Sequence, residues 1–285
     1  MPVITDLWFY PIKSCAGIAV VQAQVAASGL SLRQQDHTLY DREWMLVDDK
    51  GQFLSQRDWP RMASLRPGLL DGMLSVAADG LPTLHLSLPD RSGATVLVSI
   101  WDDTLLARCA APSAHAWFSR ALGVSCRLVR FDLAAQRYAS QKWTGALLAP
   151  TRFADGFPLL LTARASLADL NQRAIAQGRA AVPMDRFRPN IVIDGLHAFE
   201  EDYAAAFEFA NGICLPAVKP CSRCSMPAVD QASGSVGPNP IDILQSYRAN
   251  PVLNGEISFG MNLIASAGIG RTLRVGDAVE IPIAF

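Results

Sequence analysis

Read from the N-terminus, the chain sets short apolar stretches between polar breaks, and their spacing predicts strands through its first part. Ile4 to Pro11 is an apolar and aromatic run closed by a proline, and Ile18 to Val25 alternates in part. Glu43 to Val47 leads into Asp48-Asp49-Lys50-Gly51, a turn signal, and Gln52 to Ser55 continues beyond it, which predicts a hairpin. Leu74 to Ala77, Thr83 to Ser87 and Thr95 to Ile100 are further strand candidates, separated by turns rich in Gly, Pro and Asp. Short strands at this spacing predict a barrel or a sandwich.

Helical spacing is rarer. Ser113 to Leu122 follows Pro112 and ends at Gly123, with Trp117, Phe118, Ala121 and Leu122 on one face and the serine as its expected cap. Ala165 to Gln177 is a second helix, capped by Thr162 or Ser166 and stopped by Gly178; Asp242 to Tyr247 is a third. Asp132 to Asp155 has weak periodicity and reads as a linker or a mobile loop over a site. A boundary between about Arg108 and Asp132 divides the chain into regions 1–120 and 121–285. The expected class is mainly β with some helices, an α+β chain.

Composition narrows the function classes. Half of the 285 residues are hydrophobic, enough for a large core, and 18% are charged, with a formal net charge of -1. No global basic field favours nucleic acid. No basic segment leads into an apolar one at the start, and no apolar run has the length of a membrane span, so a soluble cytoplasmic protein with a small-molecule substrate is expected. The six cysteines are then expected to be reduced, with Cys109, Cys126 and Cys214 serving as small core residues.

Four segments carry candidate chemistry. Lys219-Pro220-Cys221-Ser222-Arg223-Cys224 holds a C-x-x-C pair. Half a zinc site would need a second pair of thiols or histidines nearby, and none follows. A thioredoxin-type pair would open a helix, which Pro227 and the glycines beyond it oppose. A single reactive thiolate with a neighbouring thiol remains, its pKa lowered by Lys219 and Arg223 and its softness suited to a transition metal; a purely structural pair is the plainer alternative. Tyr10-Pro11-Ile12-Lys13-Ser14-Cys15-Ala16-Gly17 offers an ammonium, a hydroxyl and backbone donors to an anion, or is a solvated turn. Arg42, in Asp41-Arg42-Glu43-Trp44, could fork onto phosphate or pair with its acidic neighbours. Asp185-Arg186-Phe187-Arg188-Pro189-Asn190 brings two arginines and an amide to a strand entrance, as a polyanion would require, or as interdomain salt bridges would.

These segments, with Ala165-Ser166-Leu167-Ala168-Asp169-Leu170-Asn171 between them and Leu273-Arg274-Val275-Gly276-Asp277-Ala278-Val279-Glu280 at the end, occur in an order that resembles MOSC proteins carrying an N-terminal β-barrel domain, such as the mitochondrial amidoxime-reducing components and their bacterial relatives. The likeness runs from Ile4 to about Ile281. It implies a MOSC-type β-barrel preceded by a smaller β-rich domain. It also implies a molybdenum cofactor, a molybdenum-pterin dithiolene, with Cys224 as the metal ligand. By the same resemblance Lys13, Ser14 and Arg42 contact the phosphate end of the pterin, Arg188 and Asn190 line the cofactor, Ser222 and Arg223 flank the metal ligand, and Thr162 lies near it. Asp230 is the carboxylate expected at the metal or in a proton relay.

The implied activity is two-electron reduction of N-hydroxylated compounds. No Cys-rich iron–sulfur segment is present in this sequence, so a separate ferredoxin- or cytochrome-like electron donor is expected. Sulfur transfer through a cysteine persulfide, or cofactor carriage without turnover, are the other readings. Ser225-Met226-Pro227-Ala228 replaces the apolar and threonine residues expected after Cys224, which bears on substrate choice.

Overall fold

A computed structural model describes residues 1–283. The protein is mainly β. Its largest sheet has eight strands in the order Val279–Glu280, Ala206–Phe209, Cys214–Ser222, Ser258–Leu263, Leu159–Ala163, Ile191–Asp194, Val3–Phe9 and Ile18–Val20. The first two strands of the chain therefore complete a sheet built otherwise from the second half. Neighbours are antiparallel except Leu159–Ala163 and Ile191–Asp194, which are parallel and need a crossover. Helix Arg164–Ala176 makes it, burying Ser166, Leu170 and Ala174 at a four-residue spacing.

A four-stranded sheet (Thr95–Ile100, Asp103–Cys109, Arg127–Phe131, Trp44–Val47) packs around its own core of Met45, Val98, Val129 and Phe153. A second runs Thr272–Arg274, Gln22–Ala26, Gly29–Gln34, His37–Tyr40, so the end of the chain pairs with its beginning here too. A three-stranded meander, Arg66–Leu70, Met73–Ala77 and Leu84–Ser87, completes the β structure. The main apolar core draws on both halves, from Ile4, Leu7 and Phe9 to Ile191, Leu215 and Leu263. No helix among the described residues is long and apolar enough to cross a membrane.

Most expected strands are present within a residue or two. The hairpin turn after Val47 is held by Asp48, whose carboxylate accepts from the backbone of Lys50 and Gln52 (2.9 and 2.8 Å), and Gly51 takes φ +85°. The helix caps differ from expectation. Helix Pro112–Leu122 starts on Ala111 with Pro112 as its first residue, and Ser113 does not cap it. Thr162 and Ser166 do not cap the second helix, because Thr162 Oγ1 donates to Met184 Sδ and Ser166 is committed to Glu201. The third helix is short, Ile241–Leu244, since the chain turns at Ser246 toward the Asn250 cap of the next 3-10 turn.

The 132–155 segment is anchored at points along its length, although Leu133, Tyr138, Leu147 and Leu148 stay exposed. Arg137 is buried and donates to Thr151 Oγ1 (3.1 Å), Arg152 O (3.1 Å) and Asp155 O (2.7 Å). Gly260 shows how closely the central strands approach one another: at φ +78° a Cβ there would lie 2.5 Å from Leu161 O.

Glu201 is fully buried and accepts from Ser166 Oγ (2.7 and 2.8 Å to its two oxygens) and from the Ala163 N–H (3.3 Å). Burial pushes its carboxyl up to about 7 from an ordinary 4.5, against the pull of the Ser166 hydrogen bond. The folded state thus holds this proton more tightly than the unfolded chain. The associated stability is full below about 4.5 and is lost as pH rises through about 7. Chemical denaturation of the wild type should lose on the order of 2–3 kcal/mol across that window, and Glu201→Gln should flatten the loss. Equal slopes in the two proteins would remove Glu201 as the cause.

Candidate active site

Beyond the Leu7–Ile191 pair, the strand Val3–Phe9 goes on to bond the turn that precedes Ile191: Trp8 N–H donates to Asn190 O (2.9 Å), and Asn190 Nδ2 donates to Trp8 O (3.2 Å). This draws the turn after the first strand, with Lys13 and Ser14, against the turn before Ile191, with Arg188 and Asn190. Arg42 enters from the turn after His37–Tyr40, its N–H donating to Tyr10 O. The strand Cys214–Ser222, paired with Ser258–Leu263, delivers Cys221 to Cys224. All of these line one cavity of about 540 Å³, within the range of small-molecule and cofactor sites.

Four cavity residues other than glycine have left-handed backbones: Ser14 (φ +63°), Arg42 (φ +48°), Trp101 (φ +53°) and Arg188 (φ +54°). Such conformations cost about 1 kcal/mol or more each and cluster at functional sites. The side chains they project are pinned. Arg42 forms an ion pair with buried Asp41 and donates from Nη1 to Asn190 Oδ1 (2.9 Å). Arg188 donates to Cys15 O (2.7 Å) and Gln231 Oε1 (3.0 Å). Both guanidinium groups lie over the Tyr10 ring, 4.3 and 4.4 Å from its centroid. Lys13 is 4% exposed and pairs with Asp155, which also accepts from Trp101 Nε1 at 3.2 Å. Burial pulls the Lys13 ammonium down and Asp155 pushes it back only in part. Burial raises the Asp155 carboxyl, but Lys13, with Arg42 and the Trp101 hydrogen bond, brings it below the usual carboxylate range; its side chain is 65% exposed, so solvent screens the pair.

The cavity's charge is lopsided. Lys13, Arg42 and Arg188 are joined by Arg57, stacked on Trp101 at 4.5 Å, and by Arg186, Lys219 and Arg223. Against these seven cations stand two carboxylates, Asp155 and Glu256, an excess of five positive charges in a chain of net charge -1. Arg223 donates from Nε to Phe259 O (2.9 Å) and from Nη1 to Phe187 O (3.1 Å), while its buried Nη2 has no partner among the described residues. An unpaired buried donor beside excess positive charge fits an anionic occupant.

Cys224 is exposed and Cys221 half-buried, and both are free thiols. The expectation that Lys219 and Arg223 lower the thiol pKa fails at Cys221: burial pushes that thiol up, and Arg223 opposes it only partly. Lys219 Nζ instead lies 5.2 Å over the Trp143 ring. Among the described residues, no three His, Cys, Asp or Glu side chains converge as a metal site. A single accessible thiol suits a metal that arrives with its other ligands.

Of the residues picked out in the sequence, Lys13, Ser14, Arg42, Arg188, Asn190, Ser222, Arg223 and Cys224 line the cavity. Two do not. Thr162 is fully buried, facing Met184 behind the cavity wall. Asp230 closes its own turn by accepting from Ser233 N (2.9 Å) and Oγ (2.8 Å), and it pairs with Arg186 at 2.8 Å. Those Ser233 bonds first, then Arg186, hold its carboxyl below the usual range. Sequence reading missed Asp155, Arg57 and Trp101; an Asp-Gly just before the apolar Phe157 to Ala163 run was the one available signal for Asp155.

If Cys224 is the accessible thiol of this cavity, an anionic disulfide reagent should find it first. We expect the fastest phase of labelling to exceed that of Cys221 on the order of tenfold, to vanish in Cys224→Ser and to survive in Cys221→Ser. Persistence of the fast phase in Cys224→Ser would place the reactive thiol elsewhere.

Two family models match the chain: one described as the MOSC N-terminal beta barrel domain over residues 1–125, the other as the MOSC domain over residues 149–280. Mitochondrial amidoxime-reducing component 1 of Mus musculus is 30% identical across 98% of this chain and 82% of its own length. Mitochondrial amidoxime reducing component 2 of Homo sapiens is 31% identical, across 97% of this chain and 82% of its own length. Molybdenum cofactor sulfurase of Oryza sativa subsp. japonica is 32% identical across 91% of this chain, which spans only 32% of that larger protein.

Proposed function

The chain belongs to the MOSC family that includes the mitochondrial amidoxime-reducing components, and on that premise we propose that it binds a molybdenum cofactor through Cys224 and reduces N-hydroxylated compounds. The observation that carries this reading is the meeting, in one cavity, of an exposed thiol and a five-charge excess of cations. A pterin dithiolene with a terminal phosphate is anionic, and its metal needs a soft protein ligand. Neither demand is met by the thiol or the arginines alone.

In this reading Lys13, Ser14, Arg42 and Arg188 receive the phosphate. The ammonium and two pinned guanidinium groups supply charge-assisted hydrogen bonds, and the left-handed turns orient them before binding. Asn190 keeps Arg42 in place through its side-chain oxygen. The free Nη2 of Arg223 turns to the ligand beside Ser222, and Cys224 provides the thiolate. When bound, the cofactor supplies two-electron oxygen-atom chemistry. The overall change consumes two electrons and two protons, replaces N–OH by N–H and releases water. The electrons come from a separate ferredoxin- or cytochrome-like protein.

The protein purified from a molybdate-supplied, cofactor-competent host should hold about one molybdenum per chain, with pterin. Cys224→Ala should lose the metal, and Arg42→Ala with Arg188→Ala should lose both. A reduced dye should then drive benzamidoxime to benzamidine. A persulfide on Cys224 in a protein that binds neither metal nor pterin would replace this reading with sulfur transfer, the activity suggested by the sulfurase relatives.

A further inference from the structure

We propose that Gln56 and Gln231 are positioning residues of an anion receptor: paired behind the cavity wall, their amides set the direction of the Ser14 turn and of Arg188. This deepens the proposed function and rests on it only for the identity of the anion. Ser55 and Arg57 line the cavity, whereas Gln56, between them, is fully buried and lies outside its lining. A buried amide must find partners or destabilise the fold. Gln56 finds one of them 175 positions away in sequence. Its Nε2 donates to Ser14 O (2.8 Å) and to Gln231 Oε1 (3.1 Å), and its Oε1 accepts from Gln231 Nε2 (2.9 Å).

Only one orientation of the two amides satisfies every group. Ser14 O can only accept, so Gln56 must turn its NH2 toward it. Gln231 Nε2 commits its N–H groups to Gln56 Oε1 and to Val229 O (3.1 Å). Its oxygen is left to accept from Arg188 Nη1 at 3.0 Å. Turning Gln56 over would set its carbonyl against that of Ser14, and turning Gln231 over would set its NH2 against a guanidinium. A single donor-to-acceptor direction therefore runs from Arg188 through Gln231 and Gln56 to Ser14.

The turn so positioned has its acceptors withdrawn. Gln56 holds the Ser14 carbonyl, and Arg188 Nη2 holds the next one, Cys15 O, at 2.7 Å. The Ser14 N–H and hydroxyl make no hydrogen bond among the described residues, and Ser14, at φ +63°, lines the cavity. A turn with bound carbonyls and free donors receives an anion, whereas a carbonyl free to swing into the cavity would repel one. Stability alone does not require the amide pair, because apolar side chains of the same shape could replace both partners at little net cost. Apolar side chains would carry no direction, and direction is what the pair supplies.

The test is equilibrium binding of inorganic sulfate to the full chain produced without cofactor. The proteins are wild type, Gln56→Met, Gln231→Met, Arg188→Ala and the double variant Gln231→Met with Arg188→Ala. Sulfate should bind wild type and should bind each methionine variant about tenfold more weakly. Gln231→Met should add no further loss once Arg188 is removed, because it acts through that side chain. A merely structural role would weaken binding equally in both backgrounds. Gln231 is half-buried, so this cycle stays readable should Gln56→Met misfold. No sulfate binding by wild type, wild-type affinity in either methionine variant, or equal losses from Gln231→Met in the two backgrounds would overturn the proposal. Pterin is measured in wild type from a cofactor-competent host. The expected sulfate losses in a chain that takes up no pterin support the receptor and sink the cofactor reading. Pterin-bearing wild type with unchanged sulfate affinity in Gln231→Met does the reverse.

Discussion

Trp8 and Asn190 exchange hydrogen bonds across 182 positions of sequence, and the site depends on that closure. The strand Val3–Phe9 is the only contribution of the first residues to the large sheet apart from its neighbour Ile18–Val20, yet it lies between that neighbour and Ile191–Asp194. Its buried face, Ile4, Leu7 and Phe9, joins the same apolar core as Ile191 and Ile193. Loop closure over such a separation is slow and entropically costly, and only core burial of this kind offsets it. Once the pair forms, the turns on either side have little freedom. Lys13 and Ser14 on one, Arg188 and Asn190 on the other, then face a common space. The return of Thr272–Arg274 to pair with Gln22–Ala26 closes the chain a second time.

Closure by itself would bring like charges together. The cavity wall answers this unevenly. Asp41 accompanies Arg42 and Asp155 accompanies Lys13, while Arg186 leans on Asp230 at the edge. Each pairing also fixes a direction: Asp41 accepts the Tyr10 N–H at 2.7 Å, so one carboxylate orients both the arginine and the ring beneath it. Asp230 has this supporting role too. It was expected at the metal or in a proton relay, and the structure gives it a turn and an arginine to hold, outside the cavity lining.

Much of this could be read from sequence, and the failures have physical causes. Strands announced themselves by apolar runs closed with Pro or Gly, so the β class and most strand positions followed. Helix caps did not, because Ser166 finds a better partner in a carboxylate 35 residues away than in its own helix. The Lys-Ser, Asp-Arg, Arg-Pro-Asn and Cys-Ser-Arg-Cys segments were each ambiguous alone; their order and family resemblance made them a set. Asp155 was marked only by the Asp-Gly pair it opens, since its meaning comes from Lys13, 142 positions away. The resemblance put Thr162 near the cofactor, but a strand buried on both faces leaves its hydroxyl only Met184 Sδ at 3.2 Å. The thiol environment also misled: neighbouring cations were visible in the sequence, whereas the burial that dominates at Cys221 was not.

Arg188 separates what the fold requires from what the site requires. It is 8% exposed, its backbone sits at φ +54°, and burial pulls its guanidinium below the ordinary value. Its partners are a carbonyl, an amide oxygen and the Tyr10 ring, all uncharged; no carboxylate pairs with it among the described residues. A second guanidinium, that of Arg42, lies on the same ring. Stability alone would remove such a residue, because a desolvated cation with only neutral partners next to another cation is a net cost. An anion in the cavity would supply the missing counter-charge, and whatever it gained there would appear as added stability of the folded protein. In the proposed function the strain and the unpaired charge are two parts of one preorganised receptor, balanced by its ligand.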